Sequence, residues 1–70
     1  MAKLHFTHPN DIEQFVWAND NTELRSAWDD FADDLFNQNV VSYWDELCYE
    51  DRMFAIDVGL KLLERYAIQY

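Results

Sequence analysis

Apolar residues recur at helical spacing in four stretches of the chain. In "NDIEQFVWA", residues 10–18, Ile12, Phe15 and Val16 share one face, and Asn10 with Glu13 has the spacing of a capping box just after Pro9. This predicts a first helix that ends within "NDN", residues 19–21. Thr22 is a suitable N-cap for a second helix, in which Leu24, Trp28, Phe31 and Leu35 recur at intervals of four, three and four. At about 100° per residue these four lie within about 60° of one another, and "NQN", residues 37–39, is predicted to end the helix. Ser42 then caps a short third segment, "YWDELCYE". There Trp44, Leu47 and Cys48 face one way, with Asp45 and Glu46 in the first turn, where the helix dipole favours them.

A fourth helix is predicted over residues 51–68, with Met53, Ile56, Leu60, Leu63 and Ala67 on one face. Phe54, Val58, Leu62 and Tyr66 extend its apolar surface around most of the circumference, leaving Asp57, Lys61, Glu64 and Arg65 as a polar strip. A helix this apolar is either central to its own domain or covered by a second chain, so a homodimer through the 51–68 helix is one expectation. Two stretches also admit extended structure. Val40, Val41 and Tyr43 suit a short strand, and Leu4 and Phe6 alternate with polar residues in "KLHFTH", which reads as a short N-terminal arm over residues 3–7.

One Gly and one Pro are too few for a turn-rich β fold. The reading is therefore all-α: one domain over residues 1–70, a small compact bundle of three to four short helices. Half the residues are hydrophobic and 17% aromatic, which excludes a disordered acidic tail. A chain of 70 residues buries only about 60% of its unfolded surface, so its stability is slender. Cys48 stands alone and can form neither an internal disulfide nor a cysteine-based zinc site. With no signal-peptide pattern and no apolar run of spanning length, the expected location is cytoplasmic, the host cytoplasm if the chain is phage-encoded.

Charge changes the picture most. The net −9 is uneven: residues 10–39 set eight acids against Arg25 and residues 40–51 add four more, whereas the two ends each carry a net +1. "SAWDDFADDLFN", residues 26–37, turns Trp28, Phe31 and Leu35 inward and Asp29, Asp30 and Asp33 outward, with Asp34 on their flank. The four aspartates span five steps of about 1.5 Å, or about one charge per 2 Å, against one per about 1.7 Å of duplex axis. Asp20, Glu23, Asp45, Glu46, Glu50 and Asp51 extend this density if their helices pack side by side. Such a surface repels nucleic acid and anionic membrane and steers a basic protein partner toward it. The competing reading is that the acids only keep a small protein soluble.

The candidate chemistries are weaker. His5, His8 and Asp11 recur every third residue, but Pro9 interrupts the helix that would gather them around a metal. The aspartates lack the glycine and terminal glutamate of a calcium loop, and they lie on the wettest face, where no carboxyl group is desolvated for acid–base work. Cys48, among Asp45, Glu46 and Glu50, is placed with the core. No nucleophile, base and orienting group occur together, so the expectation is no enzyme and no cofactor.

In size, acidity and aromatic content the chain is similar to small acidic DNA-mimic inhibitors, a class that includes phage anti-restriction and anti-CRISPR proteins. It carries no motif that assigns residue roles. That resemblance implies an inhibitor occupying the basic surface of a nucleic-acid-binding complex. The alternatives are an immunity protein that neutralises a basic toxin, with Trp17, Tyr43 or Tyr49 as anchors, and a non-inhibitory dimeric adaptor or assembly module.

Overall fold

The computed structural model describes residues 6–68. The order is α1 (Pro9–Ala18), α2 (Thr22–Asn39), a single 3₁₀ turn (Trp44–Glu46) and α3 (Tyr49–Arg65). The protein is an all-α bundle, and among the described residues there is no strand. The Cα radius of gyration of 11.7 Å is close to the ~11 Å of a compact chain of this length. No helix among the described residues is long and apolar enough to cross a membrane.

α1 and α2 are capped one or two residues ahead of the caps expected for them. Asn10 and Glu13 do not cap α1; His8 does, its Nδ1 accepting the Asn10 backbone N–H at 3.0 Å, and Pro9 occupies the first helical position where no donor is missed. Asn21 rather than Thr22 caps α2, its Oδ1 accepting the Leu24 N–H at 2.9 Å. Both corrections move the cap toward the loop, because the side chain three residues or fewer ahead of an orphan N–H is the one that can reach it.

The third segment is not a helix of eight residues. Glu46 turns its carboxylate back onto the Ser42 and Tyr43 N–H groups, at 2.6 and 3.0 Å, closing one tight turn after which Leu47 and Cys48 are extended. In 3₁₀ geometry residues three apart eclipse, so Trp44 and Leu47 both reach the core without a longer helix. Cys48, expected inside, is exposed beyond that turn, and Tyr49 and Glu50 already belong to α3.

Residues 40–43 make no strand either. α2 ends in a Schellman arrangement, the Val41 N–H reaching Phe36 O and the Val40 N–H reaching Asn37 O, with Val40 in the left-handed region at φ 55° and ψ 49°. A β-branched residue there costs about 1–2 kcal/mol, and Val40 is 90% exposed, so packing does not compensate it. Val40→Gly is expected to raise stability by about 0.5–1 kcal/mol, net of the larger chain entropy of glycine, read as a higher urea midpoint at unchanged slope.

The core joins all three helices. Ile12 and Val16 of α1, Leu24, Trp28, Ala32 and Leu35 of α2, Trp44 and Leu47 of the connecting segment, and Ala55, Ile56 and Leu63 of α3 form one buried cluster. Two faces are rotated from expectation. On α2 the buried line runs through Ala32 while Phe31 is half-buried, and on α3 it runs through Ala55, Ile56, Gly59 and Leu63 while Met53 and Leu60 are half-buried and Ala67 is exposed. The cause is close approach at small residues. A Cβ on Gly59, the chain's single glycine, would stand 2.8 Å from an Ile12 methyl and 3.0 Å from the Trp28 ring. α3 therefore packs on both other helices, and its broad apolar arc has cover within the chain; Tyr49 and Phe54 are its exposed large hydrophobics.

Candidate functional site: an acidic helix face

α2 sorts its side chains by the same periodicity that builds the core. Relative to Trp28, Asp29 and Asp33 fall at about 100° and 140°, and Asp30, Glu23 and Asp34 at about 200°, 220° and 240°. All five are exposed, so the structure brings them together on one face opposite the buried line. Asp29/Asp33 and Asp30/Asp34 are successive-turn neighbours of like charge, each pair opposing the helix by about 0.2–0.5 kcal/mol. Gln38 donates to Asp34 at 2.9 Å, but among the described residues no cation pairs with any of the four aspartates. Arg25, the one cation of α2, is turned elsewhere: its guanidinium donates to Trp17 O at 2.8 Å and lies 5.3 Å from the Trp17 ring centre.

The other candidate acids have separate surroundings. Asp20 is exposed in the α1–α2 connection. Asp45 accepts from His8 Nε2 at 2.7 Å, and because His8 Nδ1 is already an acceptor at the α1 cap, the neutral Nε2–H tautomer satisfies both contacts. Glu46 is committed to its own turn. Glu50 and Asp51 occupy the first turn of α3, where the helix N-terminus favours negative charge. Asp45 and Glu46 thus have local structural partners, whereas the four α2 aspartates share only the Gln38 contact among the described residues.

His5 of the proposed metal triad and most of the proposed arm at residues 3–7 lie outside the described residues. Phe6, at the described edge of that arm, packs edge-on against Phe15 with ring centres 5.9 Å apart. Among the described residues no cluster of acids, histidines or cysteine is arranged to hold a metal ion, and no pocket opens between the helices. The candidate site is the exposed face of α2. Helical spacing alone does not single out Phe54, which is 52% exposed and meets Phe31 across the α2–α3 seam. A signal for it is nonetheless present: Phe54 lies between Glu50 and Asp57 on the outer side of a helix whose apolar arc is too wide for one interface. Comparison with protein-family models, curated proteins and solved structures returns no match.

Proposed function

We propose that the protein is a non-enzymatic binding protein whose α2 face occupies a basic, nucleic-acid-handling surface of a partner protein, in the manner of a DNA-mimic inhibitor. The observation that carries this reading is the line of exposed carboxylates on α2, left without cations among the described residues and making the helix less stable than it need be. Such a face supplies a long-range field that accelerates encounter with a positive groove and suppresses approach to nucleic acid and anionic membrane. It needs no cofactor. The immunity reading uses the same field and gains from the exposed aromatic anchors Trp17, Tyr43 and Tyr49, each about half exposed or more. The homodimeric adaptor reading keeps Tyr49 and Phe54 as its exposed anchors on α3.

The test is capture on the immobilised protein from its native host, followed by elution with duplex DNA or with rising salt. The expected result is a basic nucleic-acid-binding protein released by both. A specific partner that DNA does not displace would remove mimicry and leave the toxin or adaptor readings. Salt should act strongly, since the screening length falls from about 10 Å at 0.1 M to about 3 Å at 1 M.

A further inference from the structure

The α2 face explains attraction over distance but not what a partner grips on arrival. Phe31 of α2 and Phe54 of α3 meet edge to face, ring centres 5.9 Å apart at 60°, and Val58, one turn after Phe54, is half-buried. Phe54 keeps 52% of its surface exposed. Carboxylates border both sides: Asp34 is one turn after Phe31, and Glu50 and Asp57 are one turn either side of Phe54. Asp57 is paired with Lys61 at 3.0 Å, whereas Asp34 and Glu50 have no cation among the described residues.

We infer that the Phe31–Phe54 seam is the docking point for an arginine-bearing basic segment of the partner, an inference that rests on the acidic-face reading above. The seam combines an exposed aromatic ring with flanking carboxylates. A guanidinium matches both at once, stacking on a ring while its N–H fork is shared with carboxylates; an ammonium offers only a point charge. The chain already makes the aromatic half of this contact with its own side chains, Arg25 over Trp17 at 5.3 Å, which also leaves Trp17 occupied. The other exposed rings fit less well. Tyr49 has Arg52 one turn on, and the two carboxylates nearest in sequence to Tyr43 are already engaged, Asp45 by His8 and Glu46 by backbone N–H groups. No cation of the described residues lies over Phe54.

Calorimetric titration with octa-arginine and octa-lysine peptides at low salt tests the assignment, on the wild-type chain, on Phe54→Leu and on the variant with Asp29, Asp30, Asp33 and Asp34 replaced by Asn. Circular dichroism confirms that each variant is folded. The wild type should bind the arginine peptide about two- to fivefold more tightly than the lysine peptide for each guanidinium seated. Phe54→Leu should abolish that preference and leave lysine-peptide binding in place. Equal binding of both peptides by the wild type, weakened together in the four-Asn variant, would overturn the seam and leave the acidic face standing. Failure of both peptides to bind the wild type would overturn the seam and the acidic face together. A dimer in sedimentation equilibrium that Phe54→Leu dissociates would assign the seam to a second copy of the chain instead.

Discussion

Trp28→Ala is expected to destabilise the protein by about 3–5 kcal/mol, the range for emptying a buried aromatic site. Trp28 is fully buried and touches every part of the bundle. Its ring lies 5.7 Å from Phe31 within α2 and 5.4 Å from Trp44 of the connecting segment, its Nε1 donates to Glu13 of α1 at 3.4 Å, and Gly59 of α3 packs against its edge. Removing it opens a cavity between three helices that small residues hold close, and collapse into that cavity is limited by the backbone. At about 0.05–0.15 kcal/mol per residue, a chain this short has about 4–10 kcal/mol to lose. Chemical denaturation followed by circular dichroism should therefore find that the variant has lost a large share of its stability, its midpoint moved far toward zero denaturant, with Trp28→Phe in between. A loss below about 1 kcal/mol would mean that the three helices do not share one core.

The central place of Trp28 is legible in the sequence, because it sits in the middle of the spacing that runs from Leu24 to Leu35. The same spacing places Asp29, Asp30 and Asp33 outside, since a helix that buries one side must expose the other. What spacing does not encode is rotation. Phe31 has the size of a core residue and Ala32 and Gly59 do not, yet the helices meet where side chains are smallest, which moves the buried lines toward Ala32, Ala55 and Gly59. The caps differ from expectation because an upstream side chain reaches a first-turn donor: Asn21 takes the Leu24 N–H in place of Thr22, and His8 takes the N–H of Asn10, so α1 starts ahead of its expected cap. The segment after Ser42 is shorter than expected because Glu46 satisfies two backbone donors by itself, an outcome that apolar periodicity does not register. The Phe31–Phe54 seam depends on how two distant helices face each other, so only its parts are visible in the sequence.

Replacing Asp29, Asp30, Asp33 and Asp34 together by Asn should leave the fold intact and slow association with the partner about tenfold or more, within the 10–10³ range of electrostatic steering. On the folding side the change removes repulsion between carboxylates one turn apart, about 0.2–0.5 kcal/mol per pair, and Asn has a helix propensity close to that of Asp. No described cation loses a partner, and the one hydrogen bond affected, Gln38 to Asp34, has an amide oxygen still available. Thermal stability should therefore be unchanged or slightly higher, which separates this variant from Trp28→Ala. On the binding side the net charge moves from −9 to −5, all of it on one helix face. A control with the same net charge but scattered changes, Asp11→Asn, Asp20→Asn, Asp57→Asn and Glu64→Gln, distinguishes a directed field from general acidity. If the acids serve only solubility, stopped-flow association with the captured partner will slow alike in both variants or in neither. If the α2 face is the recognition surface, the four-Asn variant loses rate and salt dependence together, and the scattered control retains most of both.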